Sequence, residues 1–218
     1  MDDDGFEPLA PESELALAHT TAALRAPMRT FFALDRRLAR IVAGTSEPML
    51  GQMRLAWWRD SLRQDPDARP RGAAVLDAIC THWRGQEAAL VGLVDGWEYM
   101  LAETLDRAAA QAFAQGRAAP FAALARMASG EKYEDEALKA GRCWALADAA
   151  AHLGEGEERT MLLDLARENA GATLAPGGLR GLAVLEALAR RSVRRGGRPL
   201  MEGRGASLVA ARAAIIGR

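Results

Sequence analysis

The chain reads as an all-α protein of a single domain, and three features of its 218 residues carry that reading. The strong helix formers Ala, Leu, Arg and Glu dominate, whereas β-branched residues are sparse and never alternate with polar ones over a strand length. Apolar residues recur at three- and four-residue spacing, which paints one face of a helix. Clusters of Gly and Pro cut the chain into pieces of helical length. With 50% hydrophobic and 26% charged residues the chain is far from a disordered composition and long enough to bury a sizeable core.

Residues 1–12 form an acidic, irregular leader marked by Pro8 and Pro11, and residues 13–218 are expected to make the helical domain. Ser13 is suited to cap a first helix running to residue 24, and Pro27 then punctuates. Over residues 28–42, Phe31, Leu34, Leu38 and Ile41 fall at helical spacing with Arg36, Arg37 and Arg40 largely off the stripe, until Gly44 and Thr45 break it. The stretch "SEPMLGQMRLAWWRDSL", residues 46–62, opens the next helix, with Ser46 as N-cap and Glu47 and Pro48 in the first turn.

Leu50, Met53 and Trp57 share one face of this helix, and Arg54 precedes Trp58 by one turn. One tryptophan is expected in the core and the other toward a boundary or cavity, where Arg54 stacks on its ring or reaches across it. Asp60 is placed to pair with an arginine of a neighbouring helix. A large amphipathic core helix with an internal ion pair explains these residues as well as a ligand-facing role does. "RQDPDARPRG" is the clearest loop, and further helices are expected over residues 73–84, 86–115, 119–128, 133–153, 159–169, 178–194 and 206–216.

A formal net charge of -1 gives no broad field to gather nucleic acid or acidic lipid. The distribution is uneven: residues 1–15 hold six acids and no base, while residues 180–218 hold nine arginines against Glu186 and Glu202. Both ends read as solvated; the alternative is docking of the basic C-terminal segment on a protein partner or a membrane surface. Its "RRSVRRGGR" lacks interleaved aromatics, so nucleic acid is not expected. Cys80 and Cys143 stand alone, as free thiols in a reducing compartment. Neither a basic leader nor an apolar run of roughly 18 residues appears, which points to the cytoplasm, with peripheral membrane contact as the alternative. There is no G-x-S-x-G elbow, and "GRGAS" follows no strand, so it is no nucleotide fingerprint.

Together with the preceding "RTFFALDRRLARIVAG", the tryptophan segment resembles the squalene/phytoene synthase family. "LVDGWEYML", "AGRCWALADAAAHLGEG" and "GLAVLEALARR" are similar to later segments of that family, so the resemblance covers residues 15–218. It implies an isoprenoid-synthase-type helical bundle with a central cavity for a prenyl or other apolar ligand. On that basis the ligand-cavity candidates are Arg54, Trp57, Trp58 and Asp60, with Phe32 and Asp35 on the preceding helix. Arg54 and Asp60 would position the helix, and the tryptophans would line or support the cavity.

Active members join two prenyl diphosphates, using two aspartate-rich motifs on facing helices to hold Mg²⁺ against the departing diphosphate. Here "ARIVA", residues 39–43, occupies the place of the first motif and offers no oxygen ligand. The late helix supplies Asp148 and, four residues on, His152, followed by Glu155 in a glycine loop; Asp148 is a weak metal candidate and His152 reads as a helix-end surface residue. Asp95 with Glu98, and Glu103 with Asp106, share helix faces but read as solvated. The chain resembles most the branch of the family that has lost synthase chemistry, which includes a mitochondrial assembly factor for respiratory complex I. The resemblance therefore implies a non-catalytic protein without cofactor, acting in assembly or apolar-ligand binding. The alternative is a prenyltransferase condensing isoprenoid diphosphates with an atypical Mg²⁺ site around Asp148.

Overall fold

The structure is a computed structural model describing residues 6–45, 47–172 and 179–216, and among these the chain is all helical. Ten α-helices follow in order among the described residues: α1 (Pro11–Ala18), α2 (Ala22–Ala43), α3 (Pro48–Arg63), α4 (Ala74–His82), α5 (Glu87–Glu98), α6 (Arg107–Ser129), α7 (Glu134–His152), α8 (Glu157–Glu168), α9 (Arg180–Arg194) and α10 (Gly205–Ile216). Short 3₁₀ turns at Tyr99–Leu101 and Gly130–Tyr133 extend α5 and link α6 to α7. Helices α6 and α7 pack on each other at the centre, with α5 against α6 and with α8 and α9 against α7; α2 touches α4, α5 and α6, and α3 lies on α5. None of the helices, among the described residues, is long and apolar enough to cross a membrane.

Several expected boundaries move. Helix α1 begins at Pro11, inside the expected leader, and Ser13 is a buried residue of its first turn; Ala10 holds the cap position without a side-chain bond. The break falls at residues 19–21, where Thr20 folds its hydroxyl back onto the Ala16 carbonyl (2.8 Å). Pro27 does not end a helix: it lies in the second turn of α2, and its carbonyl accepts the buried indole N–H of Trp83 (3.0 Å). The expected N-cap Ser46 lies outside the described residues, as do Asp2, Asp3, Asp4 and Gly178; Glu47 precedes α3 and makes no side-chain cap.

The helix expected over residues 86–115 is two helices, and the one expected over 119–128 is the end of the second. The chain breaks at residues 102–106 because the Asp106 carboxylate accepts the Ala109 N–H (2.7 Å), and Glu158 of α8 accepts the Leu105 N–H (2.9 Å). Helix α6 then runs through Pro120. The expected loop after α3 is present, and Arg69 buries itself there, donating to the carbonyls of Ser61 (3.1 Å), Leu62 (2.9 Å) and Gln64 (3.1 Å). It thereby satisfies the open C-terminal end of α3.

Contact between glycines sets the centre. A Cβ at Gly116 of α6 would lie 2.4 Å from the Gly92 carbonyl oxygen and 2.7 Å from the Gly96 Cα, both on α5. Only backbones without side chains approach so closely. That approach brings the neighbouring residues Trp97 and Arg117 to the same place.

Candidate functional site

Two charged regions stand out, one closed and one open. The closed one joins four helices. Asp35 of α2 is buried, and Arg117 of α6 grips it as a fork: Nε donates to Oδ1 (2.9 Å) and Nη2 to Oδ2 (2.7 Å). Arg117 Nη1 turns to Asp148 of α7 (2.8 Å to Oδ2), and the Trp97 indole N–H of α5 donates to Asp35 Oδ1 (2.7 Å). The guanidinium lies 4.1 Å from the centre of the Trp144 ring and 5.1 Å from that of Trp97. Burial works against the Arg117 charge, but the carboxylates of Asp35 and Asp148 outweigh it and its pKa is raised. Fork geometry and charge assistance make this the strongest type of side-chain pairing.

At the rim of this centre Glu12 of α1 has its pKa raised, chiefly by burial, with a smaller contribution from the Asp148 charge. His152 is exposed, its Nδ1 2.8 Å from the Asp148 carbonyl oxygen and 3.9 Å from Asp148 Oδ1. Among the described residues no three His, Cys, Asp or Glu side chains converge on one point. Both oxygens of Asp35 are taken and one of Asp148 is taken, so the carboxylates that could serve a cation are already serving Arg117. Phe32 is buried beside this centre, within a cluster of rings formed by Phe31, Phe121 and Trp144 at centroid distances of 5.0 to 6.4 Å. Cys143 is buried on α7, and burial pushes its thiol up to about 12, which keeps it protonated and unreactive.

The open region is a groove between α2 and α3. Two adjoining clefts, of about 170 and 610 Å³, share Arg37, Trp58 and Ala73; Arg36 and Glu7 line the smaller, and Arg40, Ile41, Arg54 and Trp57 the larger. Trp58 is buried and forms the floor, while Trp57 is half-exposed and meets it edge to face, ring centroids 5.1 Å apart. Glu7, from the stretch expected to be a solvated leader, lies against the arginines instead. It hydrogen-bonds Arg40 and approaches Arg37 (3.6 Å) and Arg36 (3.9 Å). Arg36, Arg37 and Arg40 share this wall of α2 because they sit off its apolar stripe at spacings of one, three and four.

The structure therefore separates the expected cavity residues. Arg54, Trp57 and Trp58 meet at the groove; Asp35 and Phe32 belong to the closed centre, and Asp148 joins them there through Arg117. Asp60 is exposed and makes no ion pair among the described residues. Its neighbour Arg59 ties α3 to α5 instead, bonding both Asp95 and Glu98, so that pair is not simply solvated. Arg54 makes no cation–π contact among the described residues. Leu50, Met53 and Trp57 share a face, which is the exposed one of α3, and the buried face is Gly51, Leu55, Trp58, Ser61 and Leu62, so Trp58 is the core tryptophan and Trp57 the boundary one.

Arg117, Trp97 and Trp144 were not singled out by the sequence. The available signal was a lone arginine inside the small-residue run of α6, since a cation there must find a buried anion. Comparison with protein-family profiles, with curated proteins and with solved structures returns no match.

Proposed function

We propose that this chain is a non-catalytic protein of the squalene/phytoene-synthase-like type, with an isoprenoid-synthase-type bundle, and that it works by binding, in assembly or as a holder of an apolar ligand, through the groove between α2 and α3. The observation that carries the reading is the pairing of Arg117 with Asp35 and Asp148. For these two carboxylates to gather Mg²⁺ they would have to release a buried guanidinium that forms no other ion pair among the described residues. The cost of leaving that charge unpaired opposes metal capture. The groove supports the second half of the reading, because it sets two tryptophan rings beside the guanidiniums of Arg37, Arg40 and Arg54 and so suits a ligand with an apolar body and an anionic end.

The test is incubation of the purified protein with farnesyl or geranylgeranyl diphosphate and Mg²⁺, following diphosphate release and, in parallel, binding by tryptophan fluorescence. No release, with binding weakened by Trp57→Ala or Arg54→Ala, is the expected result. Magnesium-dependent release that disappears in Asp148→Ala would overturn the non-catalytic reading in favour of a prenyltransferase.

A further inference from the structure

We infer that the exposed face of α3, together with the arginines of the adjoining groove, is a docking surface for an anionic phospholipid bilayer. Met49, Leu50, Met53 and Trp57 are 71, 46, 65 and 47% exposed, and they follow one another at one-, three- and four-residue spacing along one side of a sixteen-residue helix. A folded chain gains nothing from displaying four large apolar side chains together, so a contiguous patch of this kind marks a contact surface. Its flank is cationic. Arg54 has no ion-pair partner among the described residues and faces Arg37 and Arg40 across the larger cleft.

The chemistry of the face fits a membrane interface better than a protein groove. Methionine and leucine side chains can enter the acyl boundary, tryptophan prefers the headgroup level, and guanidiniums reach outward to lipid phosphates. The acids of α3 stand at its two ends, Glu47 before Pro48 and Asp60 one turn from the C-terminus, leaving the middle of the face apolar. Glu7 acts as the resident counter-anion of this site: it holds the place on Arg36, Arg37 and Arg40 that a lipid phosphate takes on docking. The surface is on α3, a different element from the arginine-rich C-terminal segment of α9 and α10.

The inference rests on the reading of the α2–α3 groove as the working surface and is independent of whether the chain turns over substrate. The experiment is co-sedimentation of the full chain with phosphatidylcholine vesicles and with vesicles carrying phosphatidylglycerol. Binding to the anionic vesicles alone, falling with added salt, is expected. Arg37→Gln, Arg40→Gln and Arg54→Gln should each weaken it about fivefold, and Trp57→Ala about tenfold. Glu7→Gln should tighten it severalfold, an effect that a loss of folding cannot imitate. Circular dichroism on each variant checks that the fold is retained, which the exposure of these side chains predicts.

Equal binding to both vesicle types, or binding that survives the α3 variants and is lost with Arg194→Gln, Arg195→Gln and Arg198→Gln together, overturns the inference. So does a dimer that Trp57→Ala dissociates in a protein that leaves vesicles untouched. If soluble farnesyl diphosphate binds through Arg54 and Trp57 while vesicles do not, the groove reading stands and the membrane inference fails. If neither binds, both fail.

Discussion

Arg117 and Arg54 carry the same guanidinium in opposite surroundings. Arg117 is enclosed by two carboxylates and three aromatic rings, with its donors aimed at fixed acceptors. Arg54 stands on an open wall beside Trp57, with other arginines opposite and no acid paired to it among the described residues. The first arrangement commits both oxygens of Asp35 and one of Asp148 to internal partners; the second leaves guanidinium donors open and can gain by binding a ligand. Protein stability should therefore depend on the first region, and recognition on the second.

The sharpest way to break this contrast is to truncate the two arginines in parallel. Arg117→Ala leaves the buried Asp35 and the partly buried Asp148 without the cation they share, and should cost about 3–5 kcal/mol in urea unfolding. Arg54→Ala should stay within about 0.5 kcal/mol of the parent. Arg117→Lys sharpens the result: the charge survives but the fork does not, so it should fall between the parent and Arg117→Ala. If Arg117→Ala unfolds at the parent's urea concentration, the centre is not the structural clasp described.

A second test strikes the geometry that delivers Arg117 to its partners. Gly116→Ala would drive a methyl group into the Gly92 carbonyl and the Gly96 backbone, neither of which is a flexible side-chain end. Separation of α5 from α6 should cost about 1–3 kcal/mol. It should also increase near-ultraviolet signal changes from Trp97, whose indole bond to Asp35 depends on the same approach. Gly154→Ala, in open space between α7 and α8, is the control and should be close to neutral.

How far these regions could be read from the sequence follows from the range of the interactions involved. The helical class, the loop after α3 and the starts and ends of α7, α8, α9 and α10 rest on local composition, spacing and breakers, and they appear within a few residues of expectation. The break before α6 has neither Gly nor Pro in it; it is made by Asp106 capping the next helix and by Glu158 reaching in from α8, and only the first of these is local. On α3 two apolar series coexist, Leu50–Met53–Trp57 and Leu55–Trp58–Leu62, each at helical spacing. The choice between them is tertiary. Gly51 lies against Leu101, and Arg59 fastens the helix to Asp95 and Glu98, which turns the second series inward. Of the candidate site, Arg54, Trp57, Trp58, Asp35 and Asp148 were visible as unusual residues, yet their division between a closed centre and an open groove was not, because Arg117 joins them from a helix distant in sequence.

The third prediction concerns the rim between these regimes and has a smaller amplitude. Glu12 has its pKa raised, first by burial and then by Asp148. A carboxyl raised in the folded state costs nothing at low pH, where it is protonated in both states, and weakens the fold as pH rises above the ordinary glutamate value of 4.5. Glu12→Gln should therefore raise the unfolding midpoint at pH 7, and its advantage should shrink as pH falls toward 4.5. An advantage independent of pH would mean that the gain comes from packing and not from the charge.

The smallest effect on stability belongs to the α3 face, and its smallness is the informative part. Met53→Gln and Trp57→Ala remove apolar surface that the folded chain already exposes, so unfolding loses little of its driving force and the midpoint should move by less than about 0.5 kcal/mol. Trp58→Ala, one residue on, empties a buried ring site under the groove and should cost about 3–5 kcal/mol. The two tryptophans thus separate two roles at adjacent positions: one is held by the fold, and the other is available to something outside it. Equal losses for Trp57→Ala and Trp58→Ala would place both in the core, and the groove would then lose its apolar wall and its claim to bind.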